Sequence, residues 1–344
     1  MSYWTSGQVE TPNGAKRQEA HRTPRGKRAA WSGNQLTFKS NNEYENSQIK
    51  KQRGHMDTIT HTLFGLTLYG AANKSNMDKS HKRALLLTTV VGSQIPDIDV
   101  VVNLTETGRI MQQMWHRGLT HSFFLIPIWG LVFYYLSRLL FKVKDKRIFY
   151  WALLAVFIHD TSDLFNTWGT GYIEPFSSYR VTFGTIPIVD FVFWFLMLAG
   201  FIVSRKKEAG ERYKVFRVVW LLMIAHVVIQ SAQGYIIYNE AKEKYEDVAL
   251  AAGFVPTQFQ VIGKDGSEVE IVKDSIFIKP EVEHRLISRD EADLVPLFEE
   301  NPRAKTLHEW SPFVVVVEED DKLGIYDPRF YRNGESFLYE FIKK

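Results

Sequence analysis

The chain has 344 residues and a net charge of +3, from 42 lysines and arginines against 39 aspartates and glutamates. This near balance argues against a nucleic-acid-binding protein, which needs a strongly basic surface. The chain has no cysteine, which excludes disulfides and thiolate zinc sites. Any metal site must therefore use histidine, aspartate or glutamate.

Polar and apolar residues are separated along the chain, although the mean hydropathy is only -0.18. Residues 1–55 have no apolar periodicity and are rich in Ser, Asn, Gly, Lys and Arg, which is typical of disorder. They lack the apolar stretch of a signal peptide. We interpret them as a disordered or non-native N-terminal extension with Met56 as the native start. A genuine flexible tail is the alternative.

Apolar segments dominate residues 56–238. Two early segments, 62–72 and 84–95, are only about a dozen residues long, whereas a full span needs roughly 20. Four later segments are long enough to cross a membrane: 122–141, 148–165, 186–203 and 215–238. The sequence therefore predicts a mainly α, multi-pass transmembrane bundle, with four spanning helices preceded by two short or partly inserted ones.

Lysine and arginine in the loops predict the orientation of this bundle. Three basic loops are expected on the cytoplasmic side: residues 73–83, 142–147 and 204–214. The opposite ends of the helices then face outward, as does everything after residue 238. These outward regions are residues 57–61, 96–121 and 159–187.

Residues 239–344 carry short, partly alternating apolar runs broken by Gly, Asp and Pro, which is typical of β-strands. Residues 264–266, Lys-Asp-Gly, are a hairpin turn signal, and residues 289–302 are compatible with one short helix. We predict a small β-rich domain outside the membrane, with no catalytic constellation of its own.

Ionisable side chains near the ends of the apolar segments carry the functional signal. A charged group near the bilayer centre costs about 2.5–3.5 kcal/mol, so it persists only where it pairs, binds a metal or faces water. The orientation inferred from the basic loops places such residues at one membrane face. They are His61, Asp97, Asp99, His116, His121, His159, Asp163 and Asp190.

The spacing of these residues suggests ligand pairs. His159 and Asp163 are spaced i, i+4 and share a helical face, which favours a metal-ligand pair or a His–carboxylate hydrogen bond. Asp97 and Asp99 follow Pro96, so both carboxylates can point into one loop-lined pocket. The alternative for the two aspartates is a turn that closes a helix.

Other histidines are more ambiguous. His116 and His121 are five residues apart, which is wrong for one helical face, but a tight turn at Gly118 can bring their rings together. His61 shares a face with Asp57 at i, i+4 if the segment is helical. The alternative is ordinary interfacial histidines, with Asp57 as a helix N-cap.

Asp190, His226 and Asp160 give weaker signals of metal binding. Asp190, near the start of an apolar segment, is a possible ligand, and an interaction with the helix dipole accounts for it equally well. His226 has no acidic neighbour in sequence and is interpreted as a packing or hydrogen-bonding residue. Asp160 lies off the face shared by His159 and Asp163, so we expect it to point elsewhere.

Five motifs resemble the bacterial family of membrane-bound metal-dependent hydrolases, which includes the LexA-regulated inner-membrane YdjM group and is similar to the YfhP proteins of Bacillus. They are MDTITHTLFG, VGSQIPDIDVV, HRGLTHSFF, HDTSDLFNTWGT and PFSSYR. The resemblance runs from Met56 to about residue 200, and the C-terminal part resembles the YfhP subgroup less specifically. A relation by motif to zinc-dependent phospholipase C implies an all-helical metal site of histidines and aspartates. Family members commonly have Asp-Pro where this chain has Asp190-Phe191, which weakens Asp190 as a ligand.

We therefore predict a site for one or two divalent ions at the outer membrane boundary, with zinc favoured by imidazole and manganese possible. The metal would activate water, and a free aspartate, with Asp97 and Asp163 the catalytic candidates, would act as general base. Arg117 and Arg180 are candidates to hold a phosphate or carboxylate of the substrate; headgroup contact is the alternative. The predicted ligands are His61, Asp97, Asp99, His116, His121, His159 and Asp163.

The function favoured by these residues is hydrolysis of an ester or phosphodiester bond in a lipid or lipid-linked substrate. A non-catalytic metal sensor is the main alternative, and an ion- or proton-coupled transporter is less favoured because its polar residues would lie at mid-depth on several helices. We expect a bacterial cytoplasmic (inner) membrane protein, with the lipid bilayer as partner and the C-terminal domain outside the cytoplasm.

Overall fold

The computed structural model describes residues 55–344. The predicted N-terminal extension lies outside the described residues except for His55, where the first helix begins. In chain order the first helices are α1 (His55–Ala71), α2 (Lys79–Gly92), α3 (Glu106–Ile110), α4 (Gln112–Trp115), α5 (Ile126–Phe141), α6 (Lys146–Leu164), α7 (Phe191–Arg205) and α8 (Arg212–Lys242). Between them, 3-10 helices cover Ile95–Leu104, Leu119–His121 and Phe123–Leu125.

Side chains at the helix ends explain where several helices start and stop. Asp78, Asp145 and Asp190 precede α2, α6 and α7, and each carboxylate accepts a backbone N–H of the first turn. Lys142 ends α5 in the left-handed conformation, with φ of 60°, which stops the helix before the basic loop.

Two segments of the described chain are long and apolar enough to cross a membrane, Phe123–Phe141 and Arg212–Lys242. Helix α2 and the 3-10 helix Ile95–Leu104 are bent by 53° relative to each other and add a third span if they act as one. The predicted spans at 122–141 and 215–238 are therefore confirmed by length and composition.

The other two predicted spans do not meet this requirement of length and apolar composition. Residues 148–165 form most of α6, but that helix begins with Lys146 and Arg147 and carries Asp160 and Asp163 near its end. Residues 186–203 are helical only from Phe191, because Asp190 caps α7 there. A bundle with four full spans thus stays a prediction.

Large apolar side chains cover the outer faces of the long helices. Leu139 on α5 and Phe195 on α7 are both 68% exposed, and Leu221 on α8 is 65% exposed. So much exposed apolar surface is unusual for a protein surrounded by water, and it suits contact with lipid tails. The buried side of the bundle packs α1, α7 and α8 together through Phe64, Phe193 and Met223.

The C-terminal part is rich in β-structure, as predicted. Its first sheet is an antiparallel meander of four strands in chain order. The turn between the second and third strands uses Gly266 at φ of +55°. The short helix predicted within residues 289–302 is present at Val295–Glu300, and a second short helix, Pro302–Trp310, follows it. The elements are β1 (Asp247–Ala252), β2 (Phe259–Asp265), β3 (Glu268–Ser275), β4 (Ile278–Ile287), α9 (Val295–Glu300), α10 (Pro302–Trp310), β5 (Val315–Glu319), β6 (Lys322–Tyr326), β7 (Tyr331–Arg332), β8 (Glu335–Ser336) and β9 (Tyr339–Lys343). Strands β5, β6 and β9 form a second sheet, and β7 pairs with β8.

Trp168, four residues after α6, joins the helical part to this domain. Its ring centroid lies 4.7 Å from that of Phe330, 5.8 Å from Trp310 and 5.9 Å from Phe337. The indole thereby packs against the apolar core of the C-terminal domain. This contact holds the C-terminal domain against the end of α6, which carries His159, Asp160 and Asp163.

Candidate metal centre

Four side chains from three separate segments converge beside the end of α6. Asp97 lies in the 3-10 helix after α2, and His121 ends a short 3-10 helix before α5. His159 and Asp163 lie one turn apart on α6. Each side chain offers one ligand atom, and these atoms all lie within 4.8 Å of one another. We call this set the four-residue group: Asp97, His121, His159 and Asp163.

The separations inside the four-residue group suit a shared cation. His121 Nε2 lies 3.2 Å from His159 Nε2 and 3.3 Å from Asp97 Oδ1. Asp163 Oδ2 lies 3.6 Å from His121 Nε2 and 3.9 Å from His159 Nε2. Ligand atoms about 2.1 Å from a tetrahedral zinc ion lie about 3.4 Å apart. The residues present therefore fit one ion of this size.

Backbone contacts hold His159 in a ligand tautomer. Its Nδ1 lies 2.8 Å from the carbonyl oxygen of Ser93, just after α2. Because a carbonyl can only accept, Nδ1 donates, and the lone pair of a neutral ring is then at Nε2, which faces the four-residue group. The histidine is fully buried, so its orientation is fixed by protein contacts alone.

Asp99 supports the site from the far side of His121. Its Oδ2 lies 3.3 Å from His121 Nδ1 and accepts hydrogen bonds from the Arg117 backbone N–H at 2.9 Å and the Thr120 hydroxyl at 2.8 Å. Burial lowers the pKa of His121, but Asp97 and Asp99 raise it more strongly, to about 10. Without a cation, a proton on this ring therefore links the carboxylates.

A second group of ligands adjoins the first. Asp97, Asp99 and His116 also offer atoms within 4.8 Å of one another, and His116 Nδ1 lies 2.8 Å from Asp99 Oδ1. The two groups share Asp97. A carboxylate shared between neighbouring ligand sets is a feature of two-ion sites, so the geometry accommodates the predicted one or two ions.

His61 on α1 lies beside the four-residue group. Its ring stacks on that of His159, with centroids 3.9 Å apart, and its Nε2 lies 3.4 Å from Asp163 Oδ1. It is 1% exposed. Its contact is with the Asp163 oxygen that faces away from His121, so its predicted role as a direct ligand stays a prediction.

Arg117 is the cation closest to the group. Its Nε lies 3.2 Å from Asp163 Oδ2, and its Nη1 donates to Asn166 Oδ1 at 2.8 Å. The residue has φ of 58°, a left-handed conformation that is costly for a side chain other than glycine. Sequence reasoning missed Asn166, whose only signal was its position three residues after Asp163, just past the end of α6.

Arg180 organises the loop that carries these residues. Its Nη1 donates to the backbone carbonyls of His116 at 3.2 Å and Arg117 at 2.6 Å, and its Nη2 lies 3.5 Å from Glu174 Oε1. Burial raises the pKa of Glu174, although Arg180 opposes this. Nη1 is thus engaged with the loop backbone, which supports a role in loop positioning, whereas Nε and Nη2 are buried without a hydrogen-bond partner among the described residues. The predicted contact with substrate stays a prediction.

Asp190 belongs to a different cluster from the one predicted. Its Oδ1 accepts the backbone N–H groups of Val192 and Phe193 at 2.7 and 3.1 Å, and its Oδ2 lies 2.8 Å from His226 Nε2. Within residues 55–344 it is in neither ligand group. Helix capping and one ion pair account for both oxygens, so its possible role as a ligand stays a prediction without support from either group. His226 forms a hydrogen bond as expected.

Asp160 is more deeply buried than the sequence suggested. It is 0% exposed, and neither carboxylate oxygen has a hydrogen-bond partner among the described residues. We expected Asp160 to point away from His159 and Asp163. In agreement with this, Asp160 is in neither ligand group. A buried carboxylate without such partners is unfavourable.

A cavity of about 940 Å³ opens beside the centre. Asp97, His116 and Arg117 line one wall, and aromatic residues of the C-terminal domain line the opposite wall. Water or a larger molecule can therefore reach the ligand groups through Asp97 and His116, which are 18% and 30% exposed.

The model of the family described as YdjM inner membrane protein matches residues 56–237, more than half of the chain. This chain belongs to the YdjM inner membrane protein family. The matched segment contains both ligand groups and the apolar helices, so the YdjM-family chain is a membrane protein with a candidate metal site in its family region.

One curated relative is similar to this YdjM-family chain. It is the "Uncharacterized protein YfhP" of Bacillus subtilis (strain 168), which is 36% identical over 206 residues. The match covers 59% of this chain and 62% of the relative, so the chain spans less than two thirds of that protein. The resemblance to the YdjM and YfhP proteins is confirmed. No solved structure matches the chain.

Proposed function

We propose that this YdjM-family membrane protein is a metal-dependent hydrolase whose cation is held by the four-residue group. One observation carries this proposal: two imidazoles and two carboxylates from three segments converge within 4.8 Å. Imidazole ligands favour zinc over magnesium or calcium, and the carboxylates leave manganese as the second candidate.

The chemistry follows from the cavity wall. When bound, the ion would lower the pKa of a coordinated water to about 7 and supply hydroxide at neutral pH. His116 faces the cavity with Nδ1 held by Asp99, so its Nε2 is placed to take up a proton. Arg117 lines the same cavity and is placed to balance negative charge on the attacked group.

A lipid or lipid-linked ester or phosphodiester is the proposed substrate class. The support is the position of the ligand groups beside the apolar 3-10 helix Ile95–Leu104 and the aromatic wall of the cavity. The basic loops support an orientation in which this end of the helices and the C-terminal domain face away from the cytoplasm.

Metal analysis of the detergent-purified full-length protein tests the proposal. We expect the wild type to retain about one or two zinc or manganese ions per chain, and His121→Ala and Asp163→Ala to lose most of that metal. His81→Ala, which removes a half-buried histidine that is in neither ligand group, is the matched control and should leave the metal unchanged. Equal trace metal in all four proteins would overturn the metal centre.

Turnover separates the enzyme from its main alternative. The metal-loaded wild type should release product from at least one member of a panel of phospholipids and lipid-linked phosphodiesters, and His116→Ala should not. Metal retention without turnover on any member would instead indicate a sensor.

A further inference from the structure

The cavity beside the metal centre has a second wall that belongs to the C-terminal domain. Phe254, from the loop after β1, and Trp310, at the end of α10, line this wall together with Phe337. Two arginines of the same domain, Arg329 and Arg332, also line it. The cavity is therefore built jointly by the helices and by the C-terminal domain.

The two arginines differ in what neutralises them. Arg329 is 4% exposed, its Nη2 lies 2.6 Å from Asp327 Oδ2, and its Nη1 donates to the carbonyl of Thr167 at 2.7 Å. These contacts pair the guanidinium with a carboxylate of its own domain and tie it to the segment after α6. It has little capacity left for a ligand.

Arg332 remains available. Its side chain is exposed and lies over the ring of Phe254, with the guanidinium carbon 5.6 Å from the ring centroid. It is paired in register with Glu335 across β7 and β8, yet it forms no ion pair with any residue from 55 to 344. Phe254 holds the guanidinium at the cavity wall without neutralising its charge.

The cavity also has an apolar exit. Ile98 and Val100 of the 3-10 helix Ile95–Leu104 line it and are 50% and 52% exposed. Leu104, at the end of the same helix, is 80% exposed. Exposed apolar side chains thus lie both at the cavity and farther along a segment that forms one arm of a candidate bent span.

We propose that the C-terminal domain is the substrate-recognition half of the site and that Arg332 binds the phosphate of an amphiphilic substrate. The planar fork of arginine matches phosphate oxygens, the aromatic wall covers the adjoining part of the molecule, and its apolar chain leaves along Ile98 and Val100. This inference deepens the proposed hydrolase function and rests on it for the reaction, although binding itself needs no turnover.

Native mass spectrometry of the full-length protein in a neutral detergent tests this assignment. The probes are dodecyl phosphate, inorganic phosphate and 1-dodecylglycerol, each added to protein as purified and after EDTA treatment. The proteins are wild type, Arg332→Ala, Arg332→Lys and a control, Arg285→Ala, which removes an exposed arginine of β4 that pairs with Glu270 outside the cavity. Equal metal content and unfolding temperature show that each variant is folded.

We expect dodecyl phosphate to bind the wild type and Arg285→Ala equally, and Arg332→Ala about 10-fold more weakly, as loss of a charge-assisted contact predicts. Arg332→Lys should be intermediate, and 1-dodecylglycerol should be insensitive to Arg332. Equal affinity of wild type and Arg332→Ala, or no binding to wild type, would overturn the assignment. If inorganic phosphate bound as tightly as dodecyl phosphate, the proposal that the ligand is amphiphilic would be wrong. Because these arms include EDTA-treated protein, they are independent of the metal measurement that tests the hydrolase.

Discussion

The carboxylate of Asp99 lies 3.3 Å from Nδ1 of His121, on the side of the imidazole opposite the four-residue group. Asp99 therefore orients a ligand and increases its basicity. The same carboxylate also holds His116 and the backbone N–H of Arg117. One aspartate thus determines the geometry of both the first and the second ligand group.

The variant Asp99→Asn tests this arrangement. It keeps the size of the side chain but removes its charge, so we expect a divalent ion to bind about 10- to 100-fold more weakly while the fold is kept. Competition with a chromophoric chelator measures the affinity. Asp190→Asn, which alters a buried helix-capping aspartate elsewhere, is the control. Unchanged affinity in Asp99→Asn would show that His121 needs no such support.

Metal binding should release protons at neutral pH. The pKa of His121 without metal is raised to about 10, so the ring is protonated at pH 7 and must lose that proton to bind an ion. We expect metal affinity to rise as the pH increases from about 6.5 toward 10. Calorimetry of zinc binding in buffers with different ionisation enthalpies counts the protons, and a count of zero would contradict the prediction.

The same raised pKa predicts how the metal-free protein responds to pH. Because the folded pKa of His121 lies above its unfolded value, its stabilising contribution is complete below about pH 6.5 and is lost as the pH rises toward 10. Thermal unfolding of EDTA-treated protein should therefore occur at lower temperature at pH 9.5 than at pH 6. In His121→Ala this difference should shrink.

Arg117→Ala should destabilise the metal-free protein more than the metal-loaded one. The substitution leaves the Asp163 carboxylate, 2% exposed, without its nearest guanidinium, which costs about 3–5 kcal/mol for a buried pair. A bound divalent ion supplies replacement positive charge. Unfolding temperatures with and without zinc measure the difference, and an equal loss in both states would show that Arg117 acts mainly through the loop.

Asp160→Asn should raise the unfolding temperature and leave the metal content unchanged. The wild-type carboxyl group is buried and accepts no hydrogen bond from the described residues. An amide, which never ionises, avoids the cost of either burying a charge or holding a proton at neutral pH. A fall in metal content would show instead that Asp160 contributes to holding a cation.

Trp168→Ala should loosen the C-terminal domain. A fully buried indole is worth about 3–5 kcal/mol against alanine, and Trp168 is only partly buried, so we expect a loss of about 2–3 kcal/mol. Limited proteolysis between α8 and β1 should become faster than in wild type. Unchanged cleavage would mean that Arg329 and the β-sheet contacts suffice to hold the domain.

Local spacing predicted the parts of the site that lie on one element. The i, i+4 relation of His159 and Asp163 needed only helix geometry, and the close spacing of Asp97 and Asp99 places both in one ligand group. The β-rich character of the C-terminal part also followed from short alternating runs. These patterns are local because each depends on backbone periodicity over a few residues.

Contacts between residues far apart in the chain could not be predicted from local spacing. Asp190 and His226 are 36 residues apart and meet only because α7 and α8 pack together. The Ser93 carbonyl that fixes His159 has no side-chain signature at all. Two of the four predicted spans stay unconfirmed, because apolar content does not reveal that Asp190 starts a helix, nor that α6 ends in buried ionisable residues.

The position of Trp168 limits how the chain can vary. Only four residues separate Asp163, in the candidate metal centre, from an indole packed against the C-terminal core. An insertion or deletion in that short connection would pull one of the two out of place, whereas the loop after α7 has no such double attachment. A chimera that exchanges the C-terminal domain between relatives would therefore have to transfer the segment around Trp168 along with it.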